Sequence, residues 1–420
     1  MAPETLARQV TDRIERLAPE LTSLSREIHG LAELGFAEHG SVAAIAELVA
    51  AHGIEARVGV HGMETSIEAC AGDPAGPRIA ILAEYDALPG IGHGCGHNVI
   101  GAAAAGAFLG LLDVVAGTGG SVVLLGTPAE ENGSGKEIMA RAGAFAGIDA
   151  AIMLHPADRD SIHFATLGLR SVEATYHGIP AHASSRPEVG RNALDAVVAA
   201  YQGIAALRQH MPQTDRVHGV ITEGGEVANV VPARASLRLL IRSPELDPLL
   251  ALSERVQRIL EGAALITETR LEAVWDRIQP CLPVRGNDTL CARFGVHMAG
   301  RGRTPSSGRS APGSEPSAQG STDLGNISLR VPSIHPTLAI APPETALHTP
   351  AFAEYAGSEW GDRAVVDGSV ALAMTALDFL TDAELRERSR AEFEAAGGVV
   401  DVPALLTPPG GRPDTSEGLE

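Results

Sequence analysis

Aromatic side chains are scarce in this chain, at 3% of 420 residues, and cations are outnumbered. The 32 lysines and arginines face 52 aspartates and glutamates, a formal net charge of −20. Phosphate contacts need clustered Lys and Arg, so this balance excludes a broad nucleic-acid surface. It equally excludes an anionic membrane surface as partner. It leaves room for a small anionic substrate held by a local arginine or a helix N-terminus. Cysteine is sparse: Cys70, Cys95, Cys281 and Cys291 show no CxxC spacing. A disulfide framework or a closed zinc knuckle is therefore excluded. The longest apolar stretch, residues 99–116, contains Asp113 and many Ala and Gly, and reads as a core helix instead of a membrane span. The N-terminal segment is charged and amphipathic and lacks an apolar signal core, so a cytoplasmic location is expected. No internal repeat is visible.

What is present is enough for two domains with full cores, with 45% apolar residues. Residues 4–29 and 41–52 read as helices. Strands and helices then alternate to about residue 156, the α/β pattern of a mostly parallel, helix-covered sheet. From residue 161 the pattern changes. Residues 161–177 alternate like an exposed strand, and 192–209 read as a helix with Leu194, Val197, Val198, Tyr201 and Ile204 on one face. Residues 216–222, 233–241 and 267–275 read as strands and 248–260 as a helix, a small α+β sandwich inserted into the larger domain. The expected division is 1–165 and 281–396 for the larger domain, 166–280 for the insert, and 397–420 for a frayed tail. Residues 299–319, rich in Gly, Ser, Pro and Arg, read as a long flexible loop.

The chemistry concentrates at strand ends. Gly92-His93-Gly94-Cys95-Gly96-His97-Asn98 puts a thiol and imidazoles on a tight glycine turn between an apolar strand (78–83) and an apolar helix (99–112). That is where open α/β sheets place their sites. Taken alone, Cys95 and His97 fit a buried core cysteine and histidine equally well. Thr127-Pro128-Ala129-Glu130-Glu131 closes the strand at 121–126; adjacent carboxylates there need solvent or a cation. With a metal beside them, one carboxylate serves as ligand and the other takes a proton from water. His155 closes a third strand (148–154), and His348 follows the insert. Asp86, Cys95 with His97, Glu130 with Glu131, and His155 thus mark four successive strand ends.

These residues resemble the metallo-amidohydrolase and peptidase family of aminoacylases, carboxypeptidase G and auxin-amide hydrolases, nearest to its aminobenzoyl-glutamate hydrolase and β-alanyl-dipeptidase-like branch. The matching segments are residues 84–89, 92–98, 126–131, 155–156, 178–183, 222–232, 320–326 and 347–349, in the family's order over most of the chain. The resemblance implies a zinc-peptidase-like catalytic domain with an inserted dimerisation (lid) domain. It implies two divalent metal ions per chain, held by Cys95, His97, Glu131, His155 and His348. It also implies Glu130 as general base and Asp86 as the carboxylate that orients a ligand. Zinc and manganese both suit this set; the thiolate at Cys95, softer than the aspartate of many relatives, leaves metal identity and number open. His182 is implied to stabilise the oxyanion of a neighbouring subunit's site, which requires a homodimer through the insert. Asn229 is implied to bind substrate near its carboxylate. Asp323 is a candidate for the pocket rim, holding a cationic substrate end, or a helix N-cap. Arg234 and Arg238 fit substrate contact and an exposed strand face equally. His93 is a spare imidazole, while His61, His163 and His177 carry no supporting pattern.

The expected activity is metal-dependent hydrolysis of the amide bond in a small dipeptide or N-acyl or N-aroyl amino acid with a free carboxylate. Three alternatives stay open. One is deamination of an aromatic amine at the same metal site, and another is a thiol hydrolase with Cys95 as nucleophile. The last is a non-catalytic, metabolite-binding member of the fold.

Overall fold

The computed structural model describes residues 3–277, 279–307 and 320–409. The chain divides into two compact units. One is formed by Met1–Ala165, Val284–Ser317 and Thr322–Val400, the other by Thr166–Pro283, Ala318–Ser321 and Asp401–Glu420.

The first unit opens with helices α1 (Pro3–Leu31) and α2 (His39–Ala51) and strands β1 (Ala56–Val58), β2 (Ile67–Gly72) and β3 (Arg78–Ala83). Helix α3 (His97–Leu111) and strand β4 (Ser121–Gly126) follow. Then come the short helices α4 (Glu130–Gly133) and α5 (Gly135–Arg141) and strands β5 (Ala150–Ile152) and β6 (His155–Ala157). The second unit contributes β7 (Gly168–His177), α6 (Ala193–Leu207), β8 (Arg216–Glu223), β9 (Arg234–Ser243), α7 (Leu246–Thr267) and β10 (Arg270–Trp275). The chain then returns to the first unit with α8 (Asp288–Gly300), α9 (Leu324–Ser328), β11 (Ser333–Ile334), β12 (Thr337–Ala339), α10 (Pro350–Ala356), α11 (Glu359–Thr381) and α12 (Ala383–Ala395).

In the first unit six strands lie in the order β1-β2-β4-β3-β5-β11. Strands β4, β3, β5 and β11 run parallel, while at one edge β2 is antiparallel to β4 and β1 antiparallel to β2. Strands β3 and β4 carry unbroken apolar runs buried almost throughout, as central parallel strands covered on both faces require. Every residue of α3 is buried. Its small side chains let α1 and α11 approach closely: a Cβ on Gly106 would lie 2.3 Å from Ser369 Oγ and 2.6 Å from Leu21 Cδ1. Helix α11 is long and apolar enough to cross a membrane, yet most of it is buried in this core.

The second unit is an antiparallel sheet in the order β10-β7-β9-β8 with α6 and α7 packed against it. Alternate residues of β7 are buried, and Tyr176 on that face donates its hydroxyl to Leu260 O of α7 at 3.0 Å. The buried stripe of α6 is Ala193, Ala196, Val197, Ala200, Ile204 and Leu207. The expected apolar face is thus corrected: Val198 and Tyr201 point outward, because alanines at helical spacing let the helix sit closer to the sheet.

Two further expectations change. Residues 299 and 300 finish α8 and do not start a loop, and 308–319 lie outside the described residues. In the tail, Val402–Leu405 forms a helical turn capped by Asp401, with Val402 fully buried; 410–420 lie outside the described residues.

Candidate active site

The site grows from the carboxyl ends of β3, β4 and β5. Past β3 the chain runs through Glu84, Tyr85 and Asp86 into the glycine turn that carries Cys95. Gly96, at φ +77°, precedes α3, and a Cβ there would meet Pro156 Cβ and Cγ at 2.8 Å. Only glycine allows that approach, which sets Cys95 and His97 beside His155. Past β4, Ala129 takes the left-handed region at φ +58° and Glu130 opens α4. His348 is likewise left-handed at φ +61°, and its N–H donates to Gly94 O at 2.9 Å. Left-handed non-glycine residues at two flanks of one cleft are strain of the kind that functional sites store.

Asp86 divides its carboxylate between two tasks. Oδ1 accepts from His97 Nδ1 at 2.9 Å and Oδ2 accepts from Glu131 N–H at 3.0 Å. His155 donates from Nδ1 to Pro156 O at 2.7 Å. Both imidazoles therefore keep a proton on Nδ1 and turn Nε2 toward the thiol and the carboxylates. This is the arrangement that outer carboxylates and carbonyls impose on metal-ligating histidines. His155 Nε2 lies 3.6 Å and His348 Nε2 3.2 Å from Cys95 Sγ. Glu131 Oε1 stands 3.9 Å from His97 Nε2 and 3.7 Å from His348 Nε2. Among the described residues, three of the four sets of close ligand atoms contain these groups: Cys95, His97 and His155; Cys95, Glu131 and His348; His97, Glu130 and Glu131; the fourth is Glu84, Glu130 and Asp323. His97 Nε2 and Glu131 Oε1 are buried without a hydrogen-bond partner. Orphaned acceptors of this kind, together with the thiol and imidazoles, fit divalent metal.

The electrostatics agree. Burial raises Cys95 well above an ordinary thiol, and Glu131 and Glu130 add to the rise. Burial raises Glu130 strongly, with Glu84, Glu131 and Asp323 adding repulsion. Burial alone would lower His97, but the Asp86 and Glu84 carboxylates outweigh it and hold it well above the usual range. Burial and the neighbouring His97 lower His155 to about 4. A cation is what this negative cluster accommodates.

Sequence reading missed a second layer. Lys136 is fully buried, ion-paired to Glu84 and 2.6 Å from Asp323 Oδ1; its N–H donates to Asp323 Oδ2 at 2.8 Å. Burial would lower the Lys136 ammonium, yet Asp323 and Glu84 hold it well up. Glu84 Oε2 remains orphaned, 3.4 Å from His97 Nε2. Asp323 is therefore corrected from a pocket-rim residue to a buried counter-charge. It precedes α9 but makes no side-chain cap. The one sequence signal for this layer was a lysine five residues beyond the Glu-Glu pair. His335 was also missed; it is buried beside His155 and Phe164, with ring centroids 5.4 and 5.1 Å away and neither ring nitrogen bonded.

The structure thus brings together Asp86, Cys95, His97, Glu130, Glu131, His155 and His348. His182 and Asn229 belong to the second unit. His182 is exposed; its Nδ1 accepts from Ser184 N–H and Ser185 N–H, both at 3.3 Å, which leaves the proton on Nε2. Asn229 O accepts from Ala183 N–H at 3.0 Å and so pins the same turn. The other histidines singled out in the sequence have ordinary partners: His93 Nε2 donates to Ile28 O, and His61, His163 and His177 face Glu68, Asp288 and Glu272. Arg234 and Arg238 pair with Glu223 and Glu173 on the exposed sheet face.

Comparison with known proteins accords with this geometry. A family model described as a peptidase dimerisation domain matches residues 164–268. Xaa-Arg dipeptidase of Mus musculus is 36% identical over 93% of this chain and 93% of its own length. A p-aminobenzoyl-glutamate hydrolase polypeptide from Escherichia coli is 36% identical over 68% of this chain and 63% of its own. Among solved structures, a dinuclear metal-binding peptidase of the M20 family from Bacillus subtilis shares the fold. Its TM-score is 0.67 and its identity 23%, over 88% of this chain and 99% of that one. An aminobenzoyl-glutamate utilization protein from Klebsiella pneumoniae gives a TM-score of 0.66 at 21% identity, over 87% and 98%. The chain belongs to the M20 family of metallopeptidases and amidohydrolases, and is a metal-dependent hydrolase of amide bonds.

Proposed function

We propose that this chain cleaves the amide bond of a small dipeptide or N-acyl amino acid that carries a free carboxylate, with zinc or manganese at a two-ion site. The observation that carries the reading is the convergence of His97 Nε2 and Glu131 Oε1, both buried and unpartnered, on Cys95, His155 and His348. Those five residues would hold the ions. When bound there, the ions would supply Lewis acidity and would lower the pKa of water.

The rest is done by the chain's own groups. Asp86 keeps the His97 proton on Nδ1. Glu130, next to a ligand but not needed as one, would be ionised once a cation offsets the burial and repulsion that raise it; it then takes the proton of the attacking water and returns it to the departing nitrogen. His182 Nε2–H is a donor for the oxyanion that develops on the substrate carbonyl. Asn229, in the turn between β8 and β9 that pins the His182 turn, contacts the substrate carboxylate. The thiol alternative is disfavoured, since burial and carboxylate neighbours oppose a Cys95 thiolate nucleophile.

Assembly follows from the second unit. Strand β8 is a free edge of its sheet, and Val220 and Ile221 on it are 59% and 44% exposed. Val198 and Tyr201 leave an apolar outer face on α6. These features support a homodimer in which His182 serves the partner's site. The proposed location is cytoplasmic.

The test is metal content with release assays on a panel of dipeptides and N-acyl amino acids. Wild type and Glu130→Ala are compared before and after chelation and reloading with zinc or manganese. The expected outcome is about two ions per chain, amine release only from metal-loaded wild type, and full metal retention by Glu130→Ala. Glu131→Ala and His155→Ala should instead lose metal. A protein that takes up no divalent ion would sink the site assignment.

A further inference from the structure

A carboxylate outside the motif segments acts on the turn that carries the catalytic pair. Glu38 ends the loop between α1 and α2. It is fully buried, and its side chain does not cap its own helix. Its two oxygens accept from Ala129 N–H and from Thr65 Oγ1, each at 2.7 Å. No ion pair reaches it among the described residues; burial raises its pKa, and the Asp86 carboxylate, of its own sign, adds to the rise. Burying a carboxylate without a cation is costly, so the position calls for a gain elsewhere.

The gain lies one peptide before Glu130. Ala129 sits at φ +58° and ψ +43°, a conformation that crowds the Cβ of an L-residue and does not hold itself. The loop carrying Glu38 lies directly on this turn. A Cβ on Gly35 would stand 3.0 Å from Ala129 Cα and 2.3 Å from Asn132 Oδ1, and the Phe36 ring lies against Gly133. Two residues on, Asp86 holds the Glu131 N–H. Alternate amides of the turn are thus fixed by carboxylates from two separate segments.

We propose that Glu38 is the positioning residue of Glu130: by accepting the Ala129 N–H it locks the left-handed peptide that aims the Glu130 carboxylate. The inference rests on Glu130 as the proton carrier. Loss of the hold lets the Ala129 peptide relax toward the right-handed region and swings the next side chain out of line. A misplacement of ~1 Å costs up to about 100-fold in rate.

The experiment compares variants in the metal-loaded full chain. Glu38→Gln keeps an acceptor for Ala129 N–H and should hold kcat within about threefold. Glu38→Ala should lower kcat about tenfold or more, with KM changed less than about twofold and metal stoichiometry unchanged. Adding Ala129→Gly to Glu38→Ala should restore kcat by about fivefold, since glycine takes this φ unaided. A merely structural loss would not be repaired by a more flexible residue. Glu38→Met, which fills similar volume without accepting a hydrogen bond, carries the same expectations if Glu38→Ala does not fold. Unchanged kcat in Glu38→Ala or Glu38→Met, or no recovery with Ala129→Gly, overturns the inference. Glu130→Ala run alongside separates the two levels: if it keeps turnover, the role of Glu130 itself fails.

Discussion

Lys136 and His93 show how single buried groups shape this unit. Lys136 is the ammonium between Glu84 and Asp323, all three fully buried. Lys136→Met leaves two carboxylates in the interior without their cation and should cost about 3–5 kcal/mol, measured by urea unfolding of the metal-free protein. A variant as stable as wild type would mean that the carboxylates find another cation. His93 is buried with Ile28 O as its one hydrogen-bond partner among the described residues, and burial lowers it to about 3. In the unfolded chain a histidine titrates near 6.5, so between about 6.5 and 3 the unfolded state binds more protons. The His93 contribution is complete above that window and is lost as pH falls through it. His93→Gln should flatten the pH dependence of stability there by up to about one proton, or ~1.4 kcal/mol per pH unit. An unchanged slope would place the acid sensitivity elsewhere.

At the level of elements, glycine decides how closely segments meet. Gly96 must take φ +77° and must admit Pro156. Gly96→Ala should therefore weaken metal binding measured by chelator competition, more than it lowers the unfolding midpoint, because it displaces Cys95 and His97 together. Retained affinity would show that the turn adjusts. The same principle explains why α3 was legible only in part. Its apolar composition marked a buried helix, but not that Gly106 and Gly110 are where Ser369, Leu21 and Ile14 press in. On α6 the large apolar residues do not mark the buried face alone: burial follows Ala193, Ala196, Val197, Ala200, Ile204 and Leu207, a stripe chosen by packing and not by side-chain size.

For the whole molecule, the free edge of β8 and the outward side of α6 carry the assembly prediction. On the proposed homodimer, Ile221→Lys should shift the protein from dimer to monomer by sedimentation and reduce turnover, because the proposed trans role of His182 needs a partner site. A monomeric wild type with full activity would sink the trans role. The net charge of −20 discourages loose self-association, so such an interface needs a specific apolar and edge-strand match.

The sequence by itself determined the types and order of the candidate ligands. Glu-Glu after one strand, histidine after the next, and Cys-Gly-His in a glycine turn are local patterns, fixed by chain direction and backbone freedom. It also determined the α/β frame, because apolar runs and helical spacing are local properties. Only the tertiary structure decided which neighbours balance those groups. Lys136 meets Glu84 and Asp323 across 52 and 187 residues of chain, and Glu38 reaches Ala129 across 91. Such pairings depend on where three-dimensional packing excludes water, and separation along a chain does not encode that.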